Sequence, residues 1–122
     1  MYAILCVDDQ PASLNALSFI VRSCGYICLT ALTAEEAVSA FEGSKVDLVV
    51  LDNDLTTTNS LALAKRLKQV RDVPTLLLCR TSVLDKPGNV DLVVYKPIES
   101  RGFSKILQWV IRKSRSTSVA YR

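Results

Sequence analysis

Val46-Asp47-Leu48-Val49-Val50-Leu51-Asp52 is an apolar run broken only by Asp47 and closed by a second aspartate. A continuous run of this kind marks a strand covered on both faces, as parallel sheets require. The flanking sequence has the alternation that such a sheet needs.

Upstream, Tyr2-Ala3-Ile4-Leu5-Cys6-Val7 is an apolar run of strand length. Pro11 stands where a first helical turn begins, with Asp9 or Gln10 just before it. Leu14, Leu17, Ile20, Val21 and Cys24 recur at helical spacing, and Gly25 closes that helix. Residues 26–31 read as the second strand. Thr33-Ala34-Glu35-Glu36 has the form of a capping box, with Thr33 as cap and Glu36 reaching back. Gly43 stops the helix that follows.

Downstream, residues 56–60 are polar and loop-like. Leu61, Leu63, Ala64, Leu67 and Val70 carry a third helix, and Pro74 punctuates. Residues 75–79 and 90–94 read as the fourth and fifth strands. Ser100 stands where it can cap a last helix, whose stripe is Phe103, Ile106, Leu107, Val110 and Ile111.

This order predicts an α/β fold: a flavodoxin-like, doubly wound, five-stranded parallel sheet in the order 2-1-3-4-5. One crossover breaks the rhythm. Residues 80–89 include the turn pair Pro87-Gly88 and are too few for a helix of about 10–12 residues with its caps. The fourth crossover helix is therefore expected to be short or absent. Leu76, Leu78, Leu92 or Val94 would then face solvent, a surface suited to a homodimer or to docking.

With 122 residues the chain has room for one domain, expected over residues 1–115, with 116–122 as a basic tail. Four cysteines and no histidine, without a CxxC pair, argue against zinc. Three of the four lie in or beside apolar runs and read as free core thiols, which suits a reducing cytoplasm. The start runs directly into Asp8-Asp9 without a basic region, unlike a signal peptide, and no apolar run is long enough to span a bilayer. The net charge is +3, with a local cluster at Arg112, Lys113, Arg115 and Arg122. That cluster lacks interleaved aromatics and reads as solvated, which speaks against a nucleic-acid partner.

In open parallel sheets, ligands gather at the carboxyl ends of the strands, where strand order reverses. Asp8 and Asp9 follow the first strand and Asp52 the third, which are neighbours in this order, so their carboxylates should converge. Such a cluster persists mainly beside a cation. Hard oxygen donors without histidine or cysteine favour Mg²⁺. Lys96, at the end of the fifth strand, brings an ammonium to the same rim. A carboxylate can attack phosphorus to give an acyl phosphate, and here Asp52 is placed to do so.

Val7-Asp8-Asp9-Gln10-Pro11, Asp47-Leu48-Val49-Val50-Leu51-Asp52, Lys96-Pro97 and the joint Cys24-Gly25-Tyr26 together resemble the receiver domain of bacterial response regulators over almost the whole chain. The resemblance implies that Asp52 accepts a phosphoryl group in two-component signalling. The donor would be a histidine kinase or histidine phosphotransferase, and the output would pass through a separate downstream protein. It implies that Asp9 ligates Mg²⁺ directly, that Asp8 helps through water or charge, and that Asp54 supplies a backbone carbonyl. Lys96 would contact the phosphoryl group across a cis bond to Pro97. Such a domain is not an enzyme beyond Mg²⁺-dependent self-phosphorylation from a donor and slow autodephosphorylation.

Four features depart from that family. Its Ser or Thr after the fourth strand is Cys79 here, or Thr81 if the strand end shifts. Its switch aromatic is Val93, with Tyr95 expected to point the other way. The loop Leu55-Thr56-Thr57-Thr58-Asn59-Ser60 lacks the family's Pro and Asp-Gly, and the fourth helix is short or missing. These departures motivate an alternative, a pseudo-receiver that docks partners without phosphorylation. Asp52-Asn53-Asp54-Leu55-Thr56 also fits the D-x-D-x-T pattern of haloacid-dehalogenase-like phosphatases, with Asp54 as general acid. That motif should follow the first strand of its core, whereas here it follows the third.

Overall fold

The computed structural model describes the backbone of residues 1–82 and 86–120, and side chains as far as residue 114. Its strands are β1 (Ala3–Val7), β2 (Ile27–Ala31), β3 (Leu48–Asp52), β4 (Thr75–Cys79) and β5 (Leu92–Tyr95). Its helices are α1 (Pro11–Ser23), α2 (Ala34–Gly43), α3 (Ser60–Val70) and α4 (Ser100–Ala120). All four strand pairings are parallel, in the order β2-β1-β3-β4-β5.

Strand alternation splits the core into two layers. Leu5, Val7, Val49, Leu51, Leu77 and Cys79 face α2 and α3, where Phe41, Leu63 and Leu67 meet them. Ile4, Cys6, Leu48, Val50, Leu76 and Leu78 face α1 and α4, against Leu17, Val21, Phe103 and Leu107. Each such buried Leu or Phe stabilises the fold by about 1.5–3 kcal/mol relative to exposure.

Local chemistry sets the helix ends. Gly25 adopts φ +90° after α1, a left-handed conformation that costs a side-chain-bearing residue more. Thr33 caps α2 by accepting from Glu36 N at 3.1 Å. Glu36 reaches back one residue further than the capping box predicts, accepting from Leu32 N at 3.1 Å. Glu99, rather than Ser100, caps α4. Its carboxylate accepts from Arg101 N and Gly102 N at 3.0 and 2.8 Å, two amides that the first turn leaves unpaired.

Among the described residues, the β4–β5 crossover holds no helix, only a turn at Gly88-Asn89. Val83, Leu84 and Asp85 in that crossover lie outside the described residues. So do Tyr121, Arg122 and the side chains of 115–120, on which most of the expected basic tail falls.

The expected exposure of Leu76, Leu78 and Val94 is incorrect. They are 0, 2 and 9 % exposed, and Leu92 is partly buried with them. Their parity points them at α1 and α4, whereas the short crossover thins the opposite layer, where Leu77, Cys79 and Val93 lie. The reason for expecting a self-association face at those leucines goes with it. The orientation expected for Tyr95 is also wrong. Val93 and Tyr95 are two residues apart in β5 and pair with Leu77 and Cys79, so they share a face.

Candidate functional site

Three main-chain bonds carry the sheet past its strand ends and fix the loops above it. Asp8 N donates to Ala31 O at 3.1 Å, Asn53 N to Leu78 O at 2.9 Å, and Lys96 N to Cys79 O at 2.8 Å. Asp8, Asp52 and Lys96 are thereby held at the carboxyl edge of β1, β3 and β5. The Lys96–Pro97 bond is cis, as expected.

Lys96 Nζ donates to Asp52 Oδ1 at 2.5 Å. Asp52 is 3 % exposed and Asp8 2 %. Burial pushes the Asp52 carboxyl above the ordinary carboxylate range. Lys96 opposes that shift, and the charges of Asp8 and Asp54 add to it. Asp52 is thus a desolvated carboxylate beside one cation and two further acids.

Asp9 is held differently. Thr56 donates to its Oδ2 twice, from the backbone N at 2.5 Å and from Oγ1 at 2.6 Å. Those bonds hold the Asp9 carboxyl below its ordinary value. Asp9 Oδ1 is buried and has no hydrogen-bond partner among the described residues. Asp8 Oδ1 accepts from Gln10 N at 2.9 Å. Gln10, at the N-cap of α1, makes no side-chain cap bond.

The expected convergence of Asp8, Asp9 and Asp52 is therefore looser than a cage. Among the described residues, no group of three or more His, Cys, Asp and Glu side chains sits closely enough to hold a metal ion. Thr56 and Gln10 N take one oxygen of Asp9 and of Asp8. The donor chemistry still fits Mg²⁺, which needs only one or two protein carboxylates and keeps its waters. Asp9 Oδ1 is the available hard oxygen.

Cys79 ends β4 fully buried, its thiol pushed up by burial and then by the charges of Asp54 and Asp52. Thr81 lies two residues beyond and is exposed. The Asp54 carboxylate turns outward to Arg80 Nε at 3.7 Å, an exposed contact of small energetic weight. The bonding of Thr56 to Asp9 and of Arg80 to Asp54 went unnoticed in the sequence. Loop conformation has no periodicity, and only a D-x-D-x-T reading drew attention to Thr56.

A doubly wound sheet with acids over β1 and β3 and a lysine over β5 defines a class, the signalling receivers. The chain matches the response regulator receiver domain model over residues 4–101 and belongs to that family, which acts in two-component signalling. It is 30 % identical over 117 residues to the alkaline phosphatase synthesis transcriptional regulatory protein PhoP of Bacillus subtilis, covering 91 % of this chain and 49 % of that protein. It is 29 % identical over 119 residues to the phosphate regulon transcriptional regulatory protein PhoB of Pseudomonas aeruginosa, covering 91 % and 52 %. The chain thus spans about half the length of these curated relatives.

Among solved structures, a CheY-like receiver domain from Methanospirillum hungatei superposes with TM-score 0.86 at 21 % identity, over 96 % of this chain and 98 % of that one. Response regulator TrrA from Thermotoga maritima, solved in complex with Mg²⁺-BeF, superposes with TM-score 0.81 at 27 % identity, over 90 % and 99 %. The phosphatase alternative finds no support here: Asp52 closes the third strand, not the first. Among the described residues no helix is long and apolar enough to cross a membrane.

Proposed function

We propose that this chain accepts a phosphoryl group on Asp52 from a phosphohistidine donor, held by a histidine kinase or a histidine phosphotransferase. The observation that carries the reading is the Lys96–Asp52 ion pair at the sheet's carboxyl edge, at the strand ends that also carry Asp9, whose Oδ1 has no hydrogen-bond partner among the described residues.

Asp52 is the nucleophile. Its carboxylate is desolvated, so it is poorly stabilised in the ground state and gains by passing charge to a phosphoryl oxygen. Lys96 holds that carboxylate until transfer and then follows the charge to the new phosphoryl oxygen. Asp9, through Oδ1, together with Asp52 and the Asp54 backbone carbonyl would hold Mg²⁺, and Asp8 would assist through water. When bound, Mg²⁺ supplies positive charge to the equatorial oxygens. Cys79 takes the place of the family's hydroxyl and offers a weaker S–H donor.

A cleft of about 460 Å³ opens on the α1 side of Lys96, lined by Asp8, Leu17, Arg80, Lys96 and Pro97. A downstream protein then reads the phosphorylated state. The site also returns the group to water slowly.

Acetyl phosphate with Mg²⁺ should add the mass of one phosphoryl group to the wild type and none to Asp52→Asn. A folded wild type that gains no mass and binds no beryllofluoride would leave only a docking role.

A further inference from the structure

Cys6 in β1 and Cys28 in β2 meet with their sulfurs 3.6 Å apart. Both are free thiols, and both lie in the layer beneath α1 and α4. The register pairs Ile4 with Cys28 and Cys6 with Thr30, so the two sulfurs meet on the diagonal of one sheet face. The two sites differ in access. Cys6 is fully buried, whereas Cys28 is 7 % exposed. Arg22 reaches over from α1 and donates from Nη2 to Cys28 O at 3.3 Å. Hydrogen bonding from Cys6 and Ser18, with the Arg22 charge, holds the Cys28 thiol below the ordinary range against its own burial. The thiolate is the form that attacks oxidants.

We propose that Cys6 and Cys28 are an oxidisable dithiol, with a hydroperoxide as oxidant and a reversible β1–β2 disulfide as product. Cys28, the less deeply buried of the two, attacks a peroxide oxygen. An S–O bond forms, the O–O bond breaks, and the leaving hydroxide takes a proton to become water. Cys6 then attacks the Cys28 sulfur and gives up its proton. The S–S bond forms, the S–O bond breaks, and a second water leaves. Two thiols and one hydrogen peroxide give one disulfide and two waters.

The sulfurs close from contact distance to a bond of about 2.05 Å. Diagonal neighbours have Cα atoms about 7–8 Å apart, beyond the roughly 4.4–6.8 Å that a disulfide ordinarily spans, so closing the bond must draw β1 and β2 together locally. The bond is therefore strained and easily reduced, the property of a regulatory rather than a structural disulfide. Resolution by a sulfur already in contact outruns a second peroxide, so sulfinic acid does not accumulate.

The test uses the full folded chain, first reduced, then exposed to hydrogen peroxide, alkylated in denaturant and digested with trypsin. Cleavage after Arg22 and Lys45 separates the two sulfurs into peptides 1–22 and 23–45. The expected product joins those peptides, with fragmentation placing the link at Cys28 rather than Cys24, and dithiothreitol reverses it. Cys24→Ser retains the link and Cys28→Ser loses it. The assignment is read on the wild type, so it holds even where Cys28→Ser does not fold. Both cysteines recovered alkylated, Cys28 recovered as sulfinic acid without a link, or a link through Cys24 would each overturn the proposal.

Discussion

Lys96 Nζ lies 2.5 Å from Asp52 Oδ1, joining the ends of β5 and β3 across the end of β4. Among the described residues, Lys96 is the one cation paired with this carboxylate, which is 3 % exposed. Lys96→Met removes the chief opposition to desolvation, so the Asp52 carboxyl should titrate still higher in a carbon-detected NMR titration. The initial rate of phosphorylation from acetyl phosphate should fall about 10²-fold, as when one oriented donor is lost from a site that stabilises developing charge. An unchanged titration would show that the ion pair does not govern Asp52.

The pH dependence follows from the raised Asp52 value. The folded state holds this proton more tightly than the unfolded chain does. Asp52 therefore favours folding in its protonated form, and that contribution is lost as pH rises through the folded value. Without added metal, Asp52→Asn should gain stability on the wild type as pH rises through the folded Asp52 value, seen as a Tm advantage at neutral pH that is absent in acid. Asp8→Asn keeps an oxygen for Gln10 N but removes a negative neighbour, so it should bring the Asp52 titration down. Thermal melts of Asp52→Asn that track the wild type at every pH would contradict the sign.

Thr56 shapes Asp9 from the opposite direction. Its two bonds depress the Asp9 carboxyl, so they stabilise the fold above the ordinary carboxylate pKa and cease to do so as pH falls through the lowered folded value. Thr56→Val keeps the backbone bond and loses the hydroxyl. It should cost about 1 kcal/mol at pH 7, with the two melts converging in acid and the Asp9 titration moving up. A constant difference at all pH values would mean that Thr56 acts through packing alone.

The succession of strands and helices was legible because it follows from periodicity, and the order 2-1-3-4-5 came from the doubly wound class to which that succession points. Apolar runs mark the five strands, and their ends carry Asp8, Asp52 and Lys96 without further information. The layer that each strand residue faces was not legible in the same way. Period two sorts Leu76 and Leu78 from Leu77 and Cys79, but it does not say which set lies under α4. The four residues expected at an open face were for that reason assigned to the wrong side. The Thr56–Asp9 bonds and the Cys6–Cys28 contact depend on a loop path and on β1–β2 register. Neither leaves a repeating mark in the chain.

Cys79 closes β4 with no exposed surface, and burial plus the nearby acids keep its thiol protonated. It therefore offers a donor, but a weaker and longer one than a hydroxyl. Cys79→Ser keeps the size and strengthens the donor at the cost of burying a hydroxyl. The unliganded protein should lose about 1–3 kcal/mol of stability in a denaturant melt. Beryllofluoride affinity with Mg²⁺ should rise about five- to tenfold, since a better hydrogen bond to the phosphoryl mimic contributes about 1 kcal/mol. Thr81→Ala is the matched comparison, because Thr81 is exposed beyond the strand end and should leave that affinity unchanged. Equal affinities for wild type and a folded Cys79→Ser, with a loss in Thr81→Ala, would move the donor role to Thr81.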